Sequence, residues 1–118
     1  MATYPPDITQ TCPVDDEPVR LTVTIGDGQL GVVSVYLDGI LLTRVAGGLG
    51  QLLLGRGAAL RGRQLHVRTL VNDVLSVTNR MSVSYLISGC PSPCGQTHDG
   101  QVDNEGDQLT FRAYFDFV

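Results

Sequence analysis

The stretch Cys90-Pro91-Ser92-Pro93-Cys94-Gly95-Gln96-Thr97-His98 sets two thiols and an imidazole at successive four-residue steps, and Cys12 stands by itself near the start of the chain. Three cysteines and one histidine form the closed tetrahedral donor set of structural zinc. Such an ion would pin a Pro- and Gly-rich loop that has little core of its own. The same thiols can instead pair, Cys90 with Cys94 or either one with Cys12, where the surroundings are oxidising. Free thiols are the third state. Residue types and spacing leave Cys12, Cys90, Cys94 and His98 level between zinc and disulfide, and in both cases the role is structural.

A second cluster follows at once. Asp99, Asp103, Glu105 and Asp107 lie within nine residues, beside Gly100, Asn104 and Gly106. Carboxylate and amide oxygens on a pliant loop suit calcium, although the spacing departs from the EF-hand and lacks its bidentate glutamate. A solvated turn is the plainer reading of these residues.

Catalytic patterns do not emerge. The sequence has no Gly-x-Ser-x-Gly elbow, no His-Glu-x-x-His and no glycine loop that opens a helix. His66 falls on the polar side of an alternating stretch, where a solvated side chain is expected. A cysteine nucleophile would have only His98 nearby as a base. All eight basic residues are arginines, which excludes lysine Schiff-base chemistry and a P-loop lysine. The net charge of −4 argues against general nucleic-acid binding, which depends on neutralising phosphates. Arg56, Arg61 and Arg63 form a local basic cluster that reads as a solvated loop.

The elements that must carry these residues are strands. Val19, Leu21, Val23 and Ile25 alternate with polar neighbours, as do Leu65, Val67, Thr69 and Val71. Met81, Val83, Tyr85 and Ile87 keep the same rhythm, and so do Leu109, Phe111, Ala113, Phe115 and Phe117. Period two means one buried and one wet face. Val32–Leu37 and Ile40–Arg44 flank Asp38-Gly39, the dipeptide of a tight hairpin. Gln51–Leu54 is a weaker strand. The glycines around residues 50–60 argue against an intact helix there. About seven strands at this spacing predict an all-β, two-sheet antiparallel sandwich, immunoglobulin-like or jelly-roll-like.

One domain is expected over residues 19–118, preceded by an extended arm at residues 1–18 that carries four prolines. Half of the 14 glycines fall between Gly39 and Gly62, where strand register is least specified. Leu49, Leu52, Leu53 and Leu54 in that segment are either core residues or an interaction surface. The three phenylalanines share one strand face and read as core, whereas Tyr36 and Tyr114 point the other way.

These features lead us to expect a non-enzymatic structural or interaction module that joins copies of itself or a protein partner through sheet edges and loops. A ligand-binding module, calcium-assisted and directed at carbohydrate, is the alternative; a small enzyme comes third. Structural zinc is the one cofactor suggested. Neither nucleic acid nor membrane insertion is expected, since no apolar run approaches the roughly 20 residues of a spanning helix. The start of the chain lacks a basic, then apolar, leader, which predicts a cytoplasmic protein or one exported without a cleaved signal.

Overall fold

Alternation of buried and exposed side chains organises the computed structural model, which describes residues 7–26, 29–72, 79–92, 94–104 and 106–118. The described residues form nine strands, β1 (Ile8–Cys12), β2 (Pro18–Ile25), β3 (Leu30–Leu37), β4 (Ile40–Ala46), β5 (Leu49–Arg56), β6 (Gln64–Asn72), β7 (Arg80–Ser88), β8 (Cys94–Gln101) and β9 (Gln108–Phe117). One helical turn, α1 (Gly57–Leu60), lies between β5 and β6. The five-stranded sheet runs β1-β9-β6-β3-β4 and the four-stranded sheet β5-β2-β7-β8.

Each sheet has one apolar face, and burying the two against each other makes the core. Val67, Phe111, Ala113 and Phe115 are fully enclosed on one side; Val19, Leu21 and Val83 meet them from the other. Only β3–β4 and β7–β8 are neighbours both in sequence and in a sheet. Every other connection crosses from one sheet to the other. This wrapping makes a two-sheet sandwich in which most consecutive strands lie on opposite sheets.

The β3–β4 turn forms as its sequence dictates. Asp38 and Gly39 both take positive φ, 50° and 81°, and the Asp38 carboxylate accepts hydrogen bonds from Arg63 Nε (2.7 Å) and the Gln64 amide (2.9 Å). These contacts, Arg63 foremost, hold the Asp38 carboxyl below its usual value. At the same end of the sandwich, α1 is a single turn that drives Leu60 inward. A side chain at Gly57 would collide with the Asp15 carbonyl, so the turn must begin on glycine.

Two strands exceed the expected seven, and the first of them lies within the expected arm. Residues 8–12 are not part of a free arm; β1 pairs in parallel with β9, from Ile8 opposite Ala113 to Cys12 opposite Phe117. Past its end the contacts continue from the Val118 amide to the Cys12 carbonyl (3.0 Å) and from the Val14 amide to the Val118 carbonyl (3.1 Å). Cys12 and Val14 are buried, so residues 8–14 pack with the sandwich. The second addition, β8, faces inward with Cys94, Gln96, His98 and Gly100. That inward set lacks the aliphatic rhythm by which buried strands are recognised.

Substitutions should separate the two faces sharply. Phe115→Ala empties a fully enclosed site and is expected to cost about 3–5 kcal/mol. Leu86→Ala, at a side chain 54% exposed, should stay within about 0.5 kcal/mol. Urea unfolding of both variants measures the difference.

Candidate functional site

The cysteine cluster resolves into a cross-link and a bystander. Cys12, at the end of β1, is disulfide-bonded to Cys94, the first residue of β8, with Cα atoms 6.0 Å apart and a sequence separation of 82. The bond ties together edge strands of opposite sheets. Cys90 is free and half-buried in the turn after β7. Burial, with Asp15 adding to it, pushes its thiol pKa up, which disfavours the reactive thiolate.

The tetrahedral zinc set of Cys12, Cys90, Cys94 and His98 is therefore not assembled. Two of its thiols are consumed in the cystine. His98 lies four residues along an extended strand from Cys94, a rise of about 13 Å. Among the described residues no three His, Cys, Asp or Glu side chains are grouped to hold a metal ion.

His98 belongs instead to a polar seam inside the β1/β8 edge. Its Nε2 and Gln96 Oε1 are 2.6 Å apart, and its ring meets the Tyr85 ring edge-on at 5.4 Å. Gln96 Nε2 donates across the sandwich to the Tyr114 carbonyl (3.1 Å). The Tyr85 and Thr69 hydroxyls bond at 2.9 Å, and burial raises the Tyr85 pKa so far that the phenol stays protonated. Gln10 Oε1 and His98 Nδ1 are buried without a protein partner. Burial lowers the His98 pKa against the opposing pull of Asp7 and Asp99.

The acidic residues do not converge either. Asp99 is exposed on β8, and Asp107 Oδ2 accepts from the Asn104 amide (3.1 Å) within a turn. The Asp103 carbonyl accepts from Asn79 Nδ2 (3.1 Å), and Glu105 lies outside the described residues. The arginines of the α1 region are structural ties. Arg61 Nη2 donates to the Val14 carbonyl (2.8 Å), Arg56 Nη1 to the Asp16 carbonyl (2.8 Å), and Arg63 to Asp38. Of the four leucines, Leu49, Leu52 and Leu54 pack against the core and Leu53 alone is exposed, at 53%.

The outer face of the five-stranded sheet gathers a constellation that the sequence did not reveal. Cross-strand register sets Arg44 opposite Ser34, Ser34 opposite Arg68, and Arg68 opposite Arg112. Beside this row the rings of Tyr36, His66 and Tyr114 stack, with centroid separations of 5.5 and 4.4 Å. On the other flank Val32 and Leu70 are paired. Burial, then Arg112 and Arg68, lower the His66 pKa, with Asp7 opposing. Alternation alone could place Tyr36, His66, Arg68, Arg112 and Tyr114 on outer faces. Their adjacency required the strand order.

No protein family, curated protein or solved structure matches the chain.

Two predictions follow from the seam and its cross-link. Both histidines are held neutral in the fold, whereas the unfolded chain protonates them near 6.5. Their contribution is thus complete above that pH and is lost as pH falls through it toward the lower folded values. Thermal melts from about pH 8 to about pH 5 should show this decline, and His98→Gln should flatten it. Cys12→Ser removes the cystine and should cost about 2–5 kcal/mol by denaturant unfolding.

Proposed function

We propose that the protein is a non-enzymatic interaction module that assembles with a second copy of itself through the free edge of β4. The observation carrying this reading is Ile40, Leu41 and Leu42, consecutive apolar residues that are 65%, 47% and 44% exposed on an edge strand. An edge strand offers unsatisfied amides and carbonyls, and a strand of another chain satisfies both. Two β4 edges meeting across a two-fold axis would join the five-stranded sheets into one.

Charge supports a second copy as the occupant. Residues 40–43 carry no charge, so the patch can oppose itself without repulsion. The nearest cation, Arg44, turns its Nε to Ser34 Oγ (2.9 Å), within its own sheet. Edges that avoid pairing carry charges, and this one is apolar where it is most open. The ladder between β3 and β4 shifts once, passing from Val35 opposite Thr43 to Tyr36 opposite Leu41. The β5 edge with Leu53 lies on the same side, because only Gly47 and Gly48 separate β4 from β5. A cystine persists in oxidising surroundings, so the module is assigned to such a compartment.

Sedimentation velocity from about 1 to about 200 μM tests the reading, with a mass rising toward twice 12.7 kDa as the expected result. The double variant Ile40→Lys/Leu42→Lys should remain a monomer with an unchanged circular dichroism spectrum. A wild-type monomer throughout that range overturns it.

A further inference from the structure

The sheet face described above presents a local cationic surface on an acidic protein. Arg44, Arg68 and Arg112 occupy one row across four strands, although the chain carries a net charge of −4. Among the described residues none of the three forms an ion pair with a carboxylate. Arg68 and Arg112 are direct cross-strand partners, an arrangement that repels and weakens a sheet. The other arginines near loops are tied to carbonyls or to Asp38, so this chain can neutralise a guanidinium where it has structural use for one.

The row also borders a cavity. Val32, Ser34, Arg44, Arg68 and Leu70 enclose about 270 Å³ that opens to solvent. Ser34 Oγ accepts from Arg44 Nε (2.9 Å), which orients that guanidinium at the rim. Arg68 stands on the other side of Ser34, and the cross-strand pair Val32 and Leu70 completes the lining. A guanidinium fork recognises carboxylate or phosphate oxygens through paired N–H donors. An apolar wall beside such forks selects a ligand with a hydrocarbon part.

We propose that this cavity binds a small organic anion, its oxyanion held between Arg44 and Arg68 and its apolar body lying on Val32 and Leu70. The anion offsets the repulsion between Arg68 and Arg112, neither of which forms an ion pair among the described residues. The site lies on the sheet face and the proposed pairing surface on the β4 edge, so either can fail without the other.

The test is titration calorimetry at low salt with octyl phosphate, octanoate, inorganic phosphate and uncharged octyl glucoside, each below its micelle concentration. Saturable binding of octyl phosphate or octanoate is expected, at least about tenfold tighter than inorganic phosphate, with none of octyl glucoside. The tighter of the two anions names the head group. Arg68→Gln and Arg44→Gln should each weaken binding about tenfold or more, while Arg20→Gln on the opposite sheet leaves it unchanged. Circular dichroism establishes that each variant is folded. Binding of neither anion, equal binding of octyl glucoside, or affinity indifferent to Arg68→Gln overturns the proposal.

Discussion

Two sheets with one dry face each must stay in register over their whole width, and at the β1/β8 side a covalent bond enforces this. Cys12 and Cys94 belong to the outermost strands of opposite sheets, and their bond closes that flank of the core. In the loop-entropy model, a cross-link at a sequence separation of 82 restricts the unfolded chain strongly. It also permits an interior that hydrophobic packing alone would not hold. Gln96, His98 and Gln10 face inward here, where aliphatic side chains would be the rule. The opposite flank is bridged by the chain itself at Gly47 and Gly48, and it carries the exposed apolar residues Ile40, Leu41, Leu42 and Leu53.

This asymmetry distributes the chemistry of the molecule. The locked flank contains the buried titratable groups, all held neutral. His98 is kept unprotonated by burial and Tyr85 is kept protonated by it, so neither is poised to exchange protons with a substrate near neutral pH. Cys90, the remaining thiol, is pushed toward its protonated form. What remains for recognition lies outside the core: the unpaired backbone of β4 and the arginine and aromatic rows of the five-stranded sheet. Central strands supply most of those rows, so their side chains stand on a rigid base rather than on loops.

Much of the architecture could be read from alternation, because burial on one face leaves a period-two trace wherever the buried residues are aliphatic or aromatic. Leu65, Val67, Thr69 and Val71 show it, and so do the inward residues of β7 and β9. The trace fails where the inward residues are polar or small. β8 buries Cys94, His98 and Gly100, and it reads as a loop; β1 turns only Gln10 and Cys12 inward, and it reads as an arm. The cysteines were legible as structural, but their partner choice depends on which strands lie at facing edges. Four-residue spacing suggests a ligand cluster only if the segment is compact, and an extended β8 carries His98 away from Cys94. The arginine row was hidden for a related reason: Arg44, Arg68 and Arg112 come together through strand order, which no local pattern encodes.

The closure of the sandwich by β1 and β8 is the claim on which this account stands, and peptide mapping without reductant addresses it directly. Trypsin cuts after Arg20, Arg80 and Arg112, releasing segments 1–20 and 81–112. One linked pair is expected, its fragmentation spectrum placing the bond between Cys12 and Cys94, with Cys90 alkylated in the folded protein only after partial opening. A bond between Cys90 and Cys94, or three alkylated cysteines in the native protein, would contradict it and return residues 8–12 to a free arm.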